Sequence, residues 1–314
     1  MTVERDATPM GLARQVELEL DPLTGVGKGA TGLDVIRSAV ARSTIRLVSH
    51  EPITRVGEDP EGVHQARVAV RRLRSDLRTF RPLLDRDWAE ALRVELRWLG
   101  GLLAPVRDAE VLGVRLQRRI EGMVGLELAS AKVLLDGLEA DRLEARRRLL
   151  GGLDSRRYEE LVVRLVRGAL EPVTRTGLFD RPAANLGSLM NRSWSRLSKS
   201  AAALGSGSSD AAFHATRIDA KRVRYGAESL ASVFGKRAIR FASAAEQLQE
   251  VLGEHQDAVV AMAWLADRGI EAEDPAVAFT AGRLAELESA SRDRARRRWP
   301  KAWKRLERSK RFWR

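Results

Sequence analysis

The stretch HQARVAVRRLRSDLRTFR, His64 to Arg81, decides how this 314-residue chain folds. His64, Arg67, Arg71, Arg74 and Arg78 are separated by 3, 4, 3 and 4 residues. At about 100° per residue they fall on one narrow stripe of an α-helix. Val63, Ala66, Val70, Leu73, Leu77 and Phe80 make a second, apolar stripe beside it, which is expected to face a core. One helix is thus anchored by one face and presents a row of guanidinium groups, about 21 Å long, with the next. Guanidinium forks match phosphate oxygens two at a time, so a straight row suits an extended polyanion.

The pattern occurs twice. In HATRIDAKRVRYGAESLASVF, residues 214 to 234, His214, Arg217, Lys221 and Arg224 repeat the first four stripe positions 150 residues later. Glu228 stands where Arg78 would repeat, which shortens the second stripe. The apolar side repeats as Phe213, Thr216, Ala220, Val223, Ala227 and Leu230. Leu102-Leu103 followed by Arg107-Asp108-Ala109 also parallels Val251-Leu252 followed by Gln256-Asp257-Ala258, offset by 149. Two matches in the same order at nearly one offset indicate an internally duplicated helical unit. His64 is expected to correspond to His214, and Asp108 to Asp257.

The H-x-x-R-V-x-x-R-R-x-R run at 64 to 74, its degenerate copy at 214 to 224, and the RDAEVL and QDAVVA segments resemble the CHAD domain, a histidine-bearing α-helical domain. The resemblance covers roughly Leu33 to Arg311. It implies two helical bundles related by a pseudo-twofold, with a basic cavity or groove that binds inorganic polyphosphate. The spacing by itself establishes only two long amphipathic helices with basic stripes.

Composition narrows the classes. Hydrophobic residues make up 44% of the chain, enough for an extensive core. Cysteine is absent, which excludes disulfides and thiolate metal sites and fits a reducing cytoplasm. No secretory signal is recognised in the first thirty residues, and no run approaches the ~20 apolar residues that cross a bilayer. The expected location is therefore cytoplasmic, with no membrane partner; the resemblance extends it to polyphosphate granules. Net charge is +12, of which residues 292 to 314 carry +10. The arginine stripe is thus a local feature of a nearly balanced body. Basic clusters attract nucleic acid, acidic surfaces or free polyanions, and charge alone does not choose.

In order, residues 1 to 31 read as a flexible lead-in rich in Gly and Pro, although VELEL at 16 to 20 has a strand-like alternation. A CHAD-like helical body at 32 to 314 follows, in halves of about 33–170 and 186–311 joined by 171–185. The pattern predicts helices at 33–49, from about 60 to the low eighties, 88–103, from Pro105 on, 126–150 and 158–170. In the second half it predicts 189–204, the repeat helix, 236–252, 254–267, 275–298 and a short one after Pro300. Prolines are taken as boundaries. No strand pattern persists elsewhere, so the fold class is all-α.

For the arginine stripe the alternatives are a solvated face and an anion site. Solvated faces mix charge signs, and this one holds no acid. His64 and His214 lead the stripes as donors to an anion or sit as capping or core histidines. His255 precedes the repeated Gln256-Asp257 and could reach the same cavity. His50 is left as a structural histidine. None of the four has metal-ligand spacing. Asp108 and Asp257 read as ion-pair partners that hold stripe arginines in register. No Walker, nucleophile-elbow or dinucleotide motif stands in a strand-to-helix context, so no enzyme, metal or cofactor is expected. Trp299, Trp303, Phe312 and Trp313 among the terminal bases either cap a core or stack on nucleobases.

The reading is of a non-enzymatic polyphosphate binder. Its contacts are His64, Arg67, Arg71, Arg74, Arg78, His214, Arg217, Lys221, Arg224 and His255. Arg72 and Arg222, about 100° off the stripe, count only if a second surface recruits them. The rival is a nucleic-acid-binding protein using the tail.

Overall fold

The structure is a computed structural model and describes residues 9–27, 29–175, 183–205 and 207–313. Those residues form an all-helical body, with Leu84 and Thr174 making an isolated bridge. The first half comprises α1 (Pro9–Leu20), α2 (Gly32–Ser49), α3 (Glu51–Val56), α4 (Glu61–Thr79), α5 (Arg86–Ile120), α6 (Gly125–Leu153) and α7 (Arg156–Leu170). The second comprises α8 (Met190–Ala202), α9 (Asp210–Ser229), α10 (Ala231–Phe234), α11 (Lys236–Glu271) and α12 (Pro275–Arg308).

Local sequence sets the helix starts. Thr31 and Asp34 form a reciprocal capping box at the head of α2. Asp59 accepts the Glu61 N–H at 2.8 Å and opens α4, and Ser209 accepts from Ala212 to open α9. Both stripe helices then bury the expected apolar face. Val63, Ala66, Val70, Leu73, Leu77 and Phe80 are buried, as are Phe213, Thr216, Ala220, Val223, Ala227 and Leu230. The two helices pack against each other, α4 between α2 and α5, α9 between α8 and α11.

The lead-in is not loose where it is described. Residues 9 to 20 are helical, and Val16 and Leu20 are fully buried in the main core against α2. The strand-like VELEL is a helical turn whose alternation is incidental; residues 1–8 and 28 lie outside the described residues. So do 176–182 of the expected joint, and Arg314 of the tail.

Three helix boundaries differ from expectation for one physical reason. Pro105 lies inside α5 and Pro300 inside α12, and α11 runs unbroken past Gly253. A proline in the interior of a helix costs about 3 kcal/mol of helix stability. Yet Leu92, Leu96, Leu99, Leu103 and Val106 hold one buried stripe across Pro105, and Ala295, Trp299 and Leu306 do so across Pro300. Each large side chain buried contributes about 1.5–3 kcal/mol, so keeping the stripe in phase outweighs the lost bond.

The α5–α6 and α11–α12 hairpins reach beyond the main core and meet through a smaller one of Leu112, Leu116, Leu134, Leu138, Leu265 and Leu284. Glu288, fully buried on α12, ties them. It takes Arg115 and, at 2.8 Å, Arg119, both on α5, while Arg115 also reaches Glu254 of α11 at 2.8 Å. No helix among the described residues is long and apolar enough to cross a membrane.

Candidate polyanion-binding surface

The basic stripes of α4 and α9 lie side by side at the centre of the molecule. Their seam is held by polar pairs: Asp76 accepts from the Ser229 hydroxyl, and Arg72 pairs with Glu228. Tyr225, buried on α9, carries three guanidiniums over its ring, those of Arg71, Arg72 and Arg224 at 5.5, 5.9 and 5.6 Å from the centroid. An aromatic residue inside a cationic run is the sequence signal for it, and helical spacing of the cations alone does not single it out.

Within the row the cations divide into two kinds. Arg67 is fixed at both ends of its fork, to Asp108 at 3.0 Å and to the Ala104 carbonyl at 2.9 Å, both on α5. Its repeat partner Arg217 lies 4.0 Å from Asp257 on α11. Asp108 and Asp257 thus hold the stripes as expected. Arg71, Arg74, Arg78 and Lys221, all half-buried, form no ion pair among the described residues. By contrast Arg55, Arg72, Arg115, Arg119 and Arg224 each have an acid.

The unpaired groups pay electrostatically for their company. Burial, then Arg217, Arg71 and Arg67, push the Lys221 ammonium down to about 7, with Asp257 pulling weakly the other way. Burial, then Arg222, Arg93, Arg74 and Arg196, push Arg78 down to about 10, which leaves it charged at neutral pH. Arg74 is lowered by burial and by Arg97 and Arg93. Arg93 and Arg97 of α5 and Arg196 of α8 therefore extend the basic surface beside Arg74 and Arg78. Helical spacing within one segment carries no sign of neighbours from another helix, so they were missed. Arg222 joins this group although Asp219 takes it at 2.6 Å, whereas Arg72 stays in the seam with Glu228.

Two expected contacts fall elsewhere. Arg224 is taken by Glu228 at 2.8 Å and Glu246 at 2.6 Å, so its fork is committed to carboxylates. His255 is 1% exposed and stacks on Phe213 at 4.5 Å. Its Nε2 lies 3.1 Å from Asp210 and 3.3 Å from Arg296, on the α9–α12 side. It sits in the core, because the face of α11 that carries it is the apolar one. His64 is half-buried at the row's start, and burial followed by Arg107 and Arg71 lowers its pKa, against a pull from Glu61. His214 is exposed and donates from Nδ1 to Gln256 at 2.6 Å. His50 Nδ1 donates to the Arg46 carbonyl as a helix cap.

A cavity of about 1180 Å³ between α5, α6 and α11 adjoins the row through Arg107 and Asp257. It is lined by as many acids, Glu110, Glu139 and Glu254 among them, as bases, so it has no net preference for a polyanion. The terminal aromatics are occupied within the fold. Trp303 stacks on Trp194 at 5.8 Å, Trp313 meets Phe241 edge-on at 4.9 Å, and Phe312 is buried. These rings cap the core of the second half.

A helical body whose paired central helices share a row of cations defines a class, and comparison identifies it. A model of the CHAD domain family matches residues 38–266, and the chain belongs to that family. It is similar, at 26% identity and a TM-score of 0.74, to the crystal structure of the CHAD domain from the plant Ricinus communis, over 91% of this chain and 95% of that one. It also shares the fold of PptA from Streptomyces chartreusis, at 24% identity and a TM-score of 0.72, over 88% of this chain and all of the other. Two uncharacterized proteins of Mycobacterium tuberculosis, MT2285 of strain CDC 1551 and Rv2226 of strain H37Rv, are each 29% identical over 88% of this chain. The chain spans 54% of their length.

Proposed function

We propose that the chain binds inorganic polyphosphate, without acting chemically on it, along the row formed by Arg71, Arg74, Arg78 and Lys221. Arg67 and Arg217 flank the row in fixed positions, and His64 and His214 donate from its starts. One observation carries the reading: four half-buried cations lie together with no carboxylate of their own among the described residues. Such a row is costly to the free protein, and a bound polyanion relieves the cost. Residence in the cytoplasm, including attachment to polyphosphate granules, is part of the same proposal. A binder rather than a catalyst is favoured because Asp108 and Asp257, the acids nearest the row's fixed arginines, are engaged with Arg67 and Arg217. Stacking of bases on the tail is disfavoured by the packing of its rings in and against the core.

The test is a titration of the intact chain with long polyphosphate at several salt concentrations, with RNA and DNA as competitors at equal phosphate. Polyphosphate is expected to win, with an affinity that falls steeply with salt as counterions are released. An affinity indifferent to salt, or a preference for RNA or DNA, contradicts the reading.

A further inference from the structure

We propose that Lys221 is a site of acylation by small acyl phosphates, with the surrounding guanidiniums docking the phosphate and the lysine amine taking the acyl group. The proposal rests on the reading that this cluster accepts phosphate, and it adds a covalent control of that same site.

The sequence singles Lys221 out. Every other cation of the two stripes is an arginine, which stays charged and binds phosphate at least as well. Lysine differs in being able to give up its proton and act as a nucleophile. The structure supplies the conditions. Lys221 is half-buried and forms no ion pair among the described residues, while Lys132, Lys199, Lys236, Lys301, Lys304 and Lys310 are exposed. The charged groups facing it are Arg217 one turn earlier on α9, Arg67 and Arg71 across the seam on α4, and Asp257 on α11. Burial and the three guanidiniums bring its pKa to about 7, so a large share of the amine is uncharged at neutral pH. An ordinary lysine, near 10.4, holds about a thousandth of its population in that form.

The chemistry balances without a further reactant. The fork of Arg71, beside the fixed charges of Arg67 and Arg217, holds the phosphoryl group of R–CO–OPO₃²⁻ and sets its carbonyl carbon beside Nζ. The Nζ lone pair attacks that carbon, the N–C bond forms, and the C–O bond to phosphorus breaks. Inorganic phosphate leaves with the bonding pair and takes up the amine proton to become HPO₄²⁻, its charge met by the guanidiniums. Nothing is oxidised or reduced. The amide product is neutral and bulkier, so it removes one cation from the row. Polyphosphate and the acyl phosphate compete for the same cations, and each therefore excludes the other.

The experiment incubates the intact chain with acetyl phosphate over about pH 6 to 9 and follows each lysine by mass spectrometry, with acetic anhydride in parallel. At about pH 7.5 Lys221 is expected to be acetylated at least about tenfold faster than the exposed lysines, because its free-amine fraction is so much larger. Its rate should level off above about pH 8, while theirs keep rising. Saturating long polyphosphate should suppress labelling of Lys221 about tenfold and spare Lys132, and Arg71→Gln should slow it. The idea is overturned if Lys221 reacts no faster than the exposed lysines. It is also overturned if the preference with acetyl phosphate is no greater than that with acetic anhydride, which has no phosphoryl group and reads the free-amine fraction alone, or if polyphosphate that binds leaves the rate unchanged. A polyphosphate titration of the same sample separates the two readings: binding with no acylation refutes this inference alone. Should the Arg71→Gln chain fail to fold, the protection arm on the natural chain decides.

Discussion

Lys221 and its neighbours show what a row of cations without acids costs a folded chain. The lysine's folded pKa, about 7, is below its unfolded value near 10.4. Between those values the unfolded chain holds a proton that the folded chain has lost, so stability rises with pH across that window. The penalty is full below pH 7 and vanishes above the unfolded value. Lys221→Met keeps the stem and removes the charge. It is expected to raise the melting temperature at about pH 6, with a gain that shrinks toward pH 10. Equal melting temperatures at pH 6 would contradict this. The stripes and their register acids, Asp108 and Asp257, were legible because both partners of each pair lie in motifs that recur. The partners of Arg224 and His255 within the fold were not legible, because Glu246, Asp210 and Arg296 come from distant segments and no periodicity within one helix records them.

At the scale of elements, amphipathic period outranked local punctuation. The buried stripes of α5 and α12 keep their phase through Pro105 and Pro300, and that continuity, present in the sequence, was the better guide. The lead-in was misread because Gly and Pro counts masked a helix whose buried anchors are only Val16 and Leu20. The approach of α3 to α4 depends on Gly62. A Cβ there would lie 2.6 Å from the Thr54 backbone nitrogen and 2.8 Å from the Ile53 carbonyl carbon. Arg146 of α6 fixes α3 from its other end, donating to the Thr54 and Val56 carbonyls at 2.8 and 2.9 Å. Gly62→Ala gains about 1 kcal/mol of helix propensity but meets backbone that cannot yield, an overpacking worth about 1–3 kcal/mol. The variant should unfold at lower urea concentration with its circular dichroism spectrum unchanged. A midpoint at or above the parent's would show that α3 moves aside freely.

Across the whole molecule, the two hairpins are joined far from the row by Arg115, Arg119 and Glu288. Burial pulls the Arg115 pKa down, but its bonds to Glu254 and Glu288 outweigh that and raise it. Breaking a buried pair strands charge, at a cost of about 3–5 kcal/mol. Glu288→Ala should cost near the lower end of that range, since Arg115 keeps Glu254; equilibrium urea unfolding measures it, and an unchanged midpoint would show that the tip is not clamped there. The all-α class followed from periodicity. The flanking arginines 93, 97 and 196 did not, because assembling them takes the packing of α4 on α5 and α9.

The central claim is that the unpaired row, and not basic charge in general, holds polyphosphate. The direct measurement is a polyphosphate titration, at one salt concentration, of two variants that each lose three charges. In one, Arg71, Arg74 and Arg78 become glutamine; in the other, the exposed tail residues Lys301, Lys304 and Lys310 do. Circular dichroism confirms that both fold, which is expected because the apolar faces are untouched. The row variant should bind at least about a hundredfold more weakly, some 2.8 kcal/mol, and the tail variant within about threefold of the parent. A folded row variant that binds like the parent, or a tail variant that loses as much as the row variant, would contradict the account.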